Sequence, residues 1–568
     1  MNWLSSSRLR TMLLPLLLSA ATVLGLGSYT ETSDDQTLAW LFSGVLALKP
    51  VPSVPLYLHG YGHLLAAAYA AVPAGPWLGL LLGTLLAGAT AMFFAVLDQL
   101  LRPHLRPGPL ALVLMLFFWL AWLEHWLWFS HGRVALLLAG AGMLFAAQRA
   151  GRRRALLLGL LALGAAWLVR PGLAVLGATA VVPAALLLAG SWKRAGPVLG
   201  SAALGLALAT GILHWQQTPV EAATQQRDAT FSRILDFDQF HPQPRTPVDS
   251  LGTAAVGLWL FGDSTVVNEG LFRRAYRFDA AQFFGREVPA KLRLRLGLLG
   301  RDYFPLLLAL VVISGQVRRR RGRIAGFWLV QAAFVGGLIL LAGLLKLPPR
   351  LALALLDFWL LTNVIFWLKA RENDETGEGS AENGYRARGT ISPLARGVGV
   401  AAVLAVIGLY GAKTWHRHQV LSQEQQRHEK TLDDIAYHRD ARRVRILAGT
   451  NDLLKSLSPF RSYNFMRQPV LLLTGWSSHD ASQVALRRAL SGTTDQTECL
   501  RRLAQLETYG SEAEVLWVLT PETARWLSRR FRSGGVRLHL VPTAPPLPGT
   551  LTSGVRVYRT DNRDFGTI

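Results

Sequence analysis

The chain has 568 residues, is 51% hydrophobic and carries a formal net charge of +23. Apolar runs of ~18 residues or more recur along most of its length, which excludes a soluble globular core as the main fold. The basic residues cluster at the ends of those runs, so the charge reports membrane topology and excludes nucleic acid as a partner, and the single cysteine, Cys499, excludes a disulfide framework and a cysteine-rich metal site.

The first run follows Arg8 and Arg10 and resembles a signal peptide, but further spans come after it, so it is expected to stay as an uncleaved helix. About eleven spans are expected, at roughly 10–28, 77–101, 109–130, 134–149, 155–171, 172–190, 196–214, 303–317, 324–345, 351–368 and 395–412. With the N-terminus inside, alternate connections carry Arg102 and Arg106, then Arg149 with Arg152 to Arg154, then Lys193 and Arg194. Arg318 to Arg321 with Arg323, and Lys369, Arg371, Arg386, Arg388 and Arg396, complete the series. All fall on one side, the cytoplasmic side by the positive-inside rule.

Between the first two spans, the loop Glu31-Thr-Ser-Asp34-Asp35-Gln carries an acidic pair, and residues 50–76 are punctuated by Pro50, Pro52, Pro55, Pro73 and Pro76. The apolar piece His63 to Val72 is too short to span and suits an interfacial helix. A carboxylate held between a membrane surface and a covering loop is partly desolvated, which favours general-base work near neutral pH. The pair is read as extended, with its two side chains pointing to opposite sides. The plainer reading is a pair of polar residues that ends a helix and keeps its loop wet.

Glu124 and His125 interrupt a Trp-rich apolar span near its outer end. Ionisable groups at such depth usually face a bundle interior or a cavity, as substrate contacts or as a structural pair. Arg170 and Arg350 run against the charge bias on the outer side, where an arginine can grip a phosphate or anchor at the interface. Asp357 follows Arg350 in the same span. The long segment 215–302 holds Asp236, Asp238, His241, Asp249, Asp263 and Glu269 with Arg273, Arg274 and Arg277. Its Asp-Phe-Asp-Gln-Phe-His run leaves a divalent cation open, although solvated loop charges are the plainer reading.

Residues 369–394 are polar and Gly-rich and read as a disordered cytoplasmic linker. After the last helix, 395–413, residues 414–568 read as a soluble α/β domain outside the membrane. Its β-rich runs are 443–448, 469–474, 514–519, 536–541 and 555–558, with helical stretches at 480–490 and 521–532. No Walker loop, dinucleotide fingerprint, His-Glu-x-x-His or Gly-x-Ser-x-Gly is present.

The order of these features resembles the GT-C superfamily of integral-membrane glycosyltransferases: a first span, the loop Thr32-Ser-Asp34-Asp35, the Pro-rich segment Pro50 to Pro76, a multi-span core over 1–368 and an outer C-terminal domain. Leu41-Phe-Ser-Gly44 and the Tyr57 to Tyr69 region are similar to uncharacterised bacterial members. Leu347-Pro-Pro-Arg350 is similar to outer loops that bind carrier phosphate, though it departs from the usual Arg-Tyr-x-x-Pro order. The resemblance implies a polyprenyl-phosphate sugar as donor and a glycan, lipid or protein hydroxyl as acceptor. Asp34 or Asp35 would be the catalytic base of an inverting transfer, and Arg350, Arg170, Glu124, His125 and His59 would contact substrate. Some such enzymes use a divalent cation and others none. A bacterial inner membrane fits, with the active site and the C-terminal domain outside. Competing readings are a transporter or flippase of lipid-linked glycans, an O-antigen-type polymerase and a non-catalytic scaffold.

Overall fold

Lipid offers no hydrogen bonds to the backbone, so long apolar runs fold as helices that satisfy their own N–H and C=O groups. The computed structural model describes residues 6–237, 239–318, 324–376, 393–437, 444–463, 468–509, 515–535, 538–543 and 554–561. The chain divides into two units. One comprises Met1–Gly27, Leu82–Gln216 and Glu287–Val420; the other comprises Ser28–Leu81, Gln217–Arg286 and Leu421–Ile568.

Among the described residues, five helices are long and apolar enough to cross a membrane: Trp77–Leu101, Pro107–Leu127, Trp192–Gln216, Ala325–Gly343 and Pro349–Ala370. Two bent pairs, Pro171–Ala180 with Val182–Ala189 and Ala280–Asp302 with Phe304–Arg318, raise the number to seven if each is one span. The other expected spans are also helical, as Leu9–Gly25, His131–Gln148, Arg153–Val169 and the start of Pro393–Ala436, but are not among those seven. Of the expected linker, residues 377–392 lie outside the described residues, and the preceding helix runs on to Thr376. Arg319 to Arg321 and Arg323 also lie outside them.

The first unit is built around the helix His131–Gln148, which is buried along nearly its whole length. Small residues bring its neighbours close, as they commonly do between membrane helices. A Cβ on Gly142 would lie 2.9 Å from the carbonyl oxygen of Gly159, and one on Gly177 would lie 2.3 Å from that of Leu136. Two other helices are tied by an amide pair. Gln331 Nε2 donates to Asn363 Oδ1 at 2.7 Å, Asn363 Nδ2 donates back to Gln331 Oε1 at 3.1 Å, and Trp359 Nε1 donates to the same oxygen at 2.7 Å.

The second unit holds a five-stranded sheet made of β1 (Val444–Ala448), β2 (Val470–Leu472), β3 (Val515–Leu519), β4 (His539–Pro542) and β5 (Arg556–Asp561). The strands fall on the β-rich runs of the sequence, in the order β2-β1-β3-β5-β4. β1 is parallel to β2 and β3, whereas β5 is antiparallel to β3 and β4. Every residue of β1, β2 and β3 is buried, which is why these strands are apolar on both faces rather than alternating, apart from Arg445, whose buried guanidinium donates to the Ile435 and Ala436 carbonyls.

The expected partition changes here. Residues 29–76 and most of 215–302 do not belong with the membrane core, and 414–568 do not stand alone. The reason is a shared core in which Phe231, Leu260 and Phe272 pack with Ile446, Leu471, Trp517 and Trp526. Trp526 Nε1 donates to the Leu251 carbonyl at 3.0 Å, and Gln483 Nε2 donates to that of Leu46 at 2.6 Å.

Candidate functional site

The acidic pair lies in the second unit on a helix, Ser33–Ser43, and not on an extended segment. Thr32 has extended backbone and begins the helix, which places both aspartates in the first turn, where the helix dipole favours negative charge. Consecutive helical side chains diverge by about 100°, so the two carboxylates have different surroundings. Asp35 is 4% exposed and accepts from Thr32 Oγ1 at 3.0 Å. Asp34 is half-buried and accepts from Trp476 Nε1 at 3.0 Å. Tyr57 meets the Trp476 ring edge-on, with centroids 5.6 Å apart. The apolar piece of the Pro-rich stretch forms the helix Tyr61–Ala71. His59 precedes that helix, half-buried, and burial pushes its pKa below the ordinary imidazole range.

In the first unit, three helices begin at one place. They are His131–Gln148, Pro171–Ala180 and Pro349–Thr376, and Gly132, Leu173 and Arg350 lie in their first turns. A Cβ on Gly132 would lie 3.0 Å from Leu173 Cδ1, 3.5 Å from Arg350 Cδ and 3.6 Å from Arg170 Nη1. Arg170 is the N-cap of the second helix, and its Nη1 donates to His131 Nε2 at 3.2 Å. Two half-buried arginine side chains thus approach Gly132, where three helix dipoles present their positive ends. That arrangement suits an anion with several oxygens, such as a phosphate.

A buried polar chain runs from the same helix. Arg133 is fully buried, and its Nη1 donates to His125 Nδ1 at 3.0 Å. A guanidinium only donates, so Nδ1 must accept and the ring proton sits on Nε2. That nitrogen donates to Asp357 Oδ2 at 2.8 Å. Glu124 is held differently. Its Oε1 accepts from Tyr410 Oη at 2.9 Å and Lys413 Nζ at 2.6 Å, and its Oε2 accepts from Arg417 Nη1 at 2.6 Å. Both of its oxygens are therefore engaged inside the protein.

The charges of the 215–302 segment form structural ties. Asp263 is fully buried and accepts from Thr497 Oγ1 at 2.6 Å and Arg530 Nε at 2.8 Å. Burial opposes its ionisation, but the hydrogen bonds from Arg530, Thr265 and Thr497 outweigh burial and hold its carboxyl below the usual range. Asp249 accepts from Arg274 Nη2 at 3.0 Å, and Glu269 pairs with Arg273 at 3.4 Å. Asp236 accepts from Ser232 Oγ, while Asp238 lies outside the described residues. Among the described residues, no three His, Cys, Asp or Glu side chains gather as metal ligands.

The residues expected from sequence fall into two sets. Asp34, Asp35 and His59 belong to the second unit, and Glu124, His125, Arg170 and Arg350 to the first. Sequence reasoning missed Trp476, His131, Gly132 and Arg133. For the last three a signal existed, in Ser130-His-Gly-Arg133 directly ahead of an apolar helix; for Trp476 there was none.

No family model matches the sequence, and no curated protein matches it. Among solved structures, ArnT from Cupriavidus metallidurans bound to undecaprenyl phosphate aligns over 98% of this chain and 98% of that one, with a TM-score of 0.42 and 12% identity. A likeness at that level carries no weight in assigning chemistry to individual residues.

Proposed function

We propose that the chain is a membrane glycosyltransferase of the GT-C type. It moves a sugar from a polyprenyl-phosphate donor to an acceptor hydroxyl on the outer face of a bacterial inner membrane, in the synthesis of an envelope glycan, glycolipid or glycoprotein. The observation that supports this reading most is the meeting of Arg170 and Arg350 over Gly132 at three helix N-termini. A lipid-linked phosphate becomes more charged at its bridging oxygen as the sugar departs, and arginines at that oxygen stabilise the transition state more than the ground state. One of Asp34 or Asp35 removes the acceptor proton as the hydroxyl oxygen attacks the anomeric carbon with inversion. His125 and Glu124 keep the span beneath the anion seat in place. The C-terminal region lies outside the membrane in this reading.

The test is sugar release from a panel of radiolabelled polyprenyl-phosphate sugars by the purified full-length protein in lipid nanodiscs. Turnover of one donor is expected. Arg170→Gln and Arg350→Gln should each lower kcat/KM about tenfold or more, as expected for a lost charge-assisted contact that strengthens in the transition state. Either Asp34→Asn or Asp35→Asn should abolish turnover. No turnover with any donor, or turnover indifferent to all four substitutions, would sink the assignment.

A further inference from the structure

The geometry points to Asp34, rather than Asp35, as the base, and to Trp476 as the residue that positions it; this rests on the transferase reading above. The two carboxylates differ in what they can still accept. Asp35 is 4% exposed and is tied to Thr32, the residue that starts its own helix. Asp34 is half-buried and has one oxygen, Oδ1, held by the Trp476 indole at 3.0 Å. Its Oδ2 has no hydrogen-bond partner among the described residues.

An indole N–H donates and never accepts. It therefore cannot take the proton itself. Donation into Oδ1 also fixes the plane of the carboxylate and so the direction of Oδ2. In the transfer, the acceptor O–H bond breaks and its proton goes to Asp34 Oδ2. The acceptor oxygen bonds to the anomeric carbon, and the bond from that carbon to the lipid phosphate breaks, with the electron pair leaving on the phosphate.

Trp476 is held well enough for this role. It opens the 3₁₀ turn Trp476–His479, just after Gly475 at φ 85°. The Gly475 N–H donates to the Trp259 carbonyl at 2.9 Å, and His479 Nε2 at the other end of the turn bonds Asp228 Oδ1 at 2.8 Å. Tyr57 packs on the indole from the Pro-rich stretch. The turn is thereby braced from both sequence-distant loops of its unit, and a residue of the C-terminal region becomes part of the acidic site.

The experiment combines kinetics with an observation that needs no substrate. Full-length protein labelled with 15N at its indoles is placed in nanodiscs, and the Trp476 signal is assigned by its loss in Trp476→Phe. The indole proton resonance is expected to move in Asp34→Asn and to stay in place in Asp35→Asn. With the donor that the wild type turns over, Trp476→Phe should lower kcat about tenfold, the scale of one hydrogen bond to a charged group, with KM changed less than about twofold. Asp34→Asn should lower kcat ~100-fold or more, the contribution of a general base.

An indole signal indifferent to Asp34→Asn overturns the positioning role. So does a Trp476→Phe effect confined to KM. Loss of turnover in Asp35→Asn with Asp34→Asn active overturns the choice of base. If the wild type turns over no donor, the transferase reading fails and the role of base falls with it, while the indole signal still reports whether the two residues are joined.

Discussion

Glu124→Gln should destabilise the first unit without weakening donor binding. Glu124 is 1% exposed and is the common partner of Lys413 and Arg417, which are 20% and 17% exposed. Glutamine keeps the shape but removes the charge, and leaves two cations facing a neutral amide. Removing one partner of a buried ion pair costs about 3–5 kcal/mol. Here both cations retain some water, and Arg417 keeps a second carboxylate, Asp302, at 3.4 Å. The expected loss is therefore about 2–4 kcal/mol. It is measured by denaturant titration of the purified protein in mixed micelles, in a cycle with Arg417→Met. The double variant should recover part of the loss, with a coupling of about 1.5 kcal/mol or more. A loss under about 0.5 kcal/mol, or strict additivity, would refute the clamp. A tenfold rise in donor KM with unchanged stability would make Glu124 a substrate contact instead.

Gly132→Val puts branches where Leu173, Arg350 and Arg170 approach, so the donor KM should rise about tenfold while the protein still extracts and elutes as the wild type does; an unchanged KM argues against an anion seat there. The carboxyl of Asp263 titrates lower in the folded protein than in the unfolded chain, so its stabilisation is complete above the unfolded value, near pH 3.9, and is lost as pH falls through the lower folded value. Hydrogen-exchange protection of Val515–Leu519, followed downward from pH 6, should therefore collapse at the acid end in the wild type, and Asp263→Asn should weaken it already at pH 6 and flatten that dependence. Cys499 is fully buried and burial pushes its thiol pKa up, so a maleimide should label the protein only as the second unit opens, and rapid labelling of the native protein would contradict the core described.

The three inner strands β1, β2 and β3 were legible because each is a short, mostly apolar run whose residues are all buried, and the longest apolar helices because length and composition suffice to recognise them. The local structure of the acidic pair was legible too and was misread. Thr32 with Asp35 three residues later is the signature of a helix start, as the structure bears out. What could not be read is pairing across distance. Gly132, Arg170 and Arg350 come together from three helices, and nothing local to any one of them announces the others. Trp476 reaches Asp34 across 442 positions of sequence. The shared core of the second unit is hidden for the same reason, since none of its contributing segments names its partner.

That composite core bears on how the chain is made. The helix that carries Asp34 leaves the ribosome 442 positions before the tryptophan that bonds it, which at ordinary rates of synthesis is a delay on the order of 20 to 90 s. During that time the membrane helices are being inserted while residues 28–81 and 217–286 wait with their apolar faces unmatched. β5, at Arg556–Asp561, closes the sheet between β3 and β4 and is the last of the five strands to be made. Truncated chains that lack it should therefore leave the early segments without their partners and open to proteolysis.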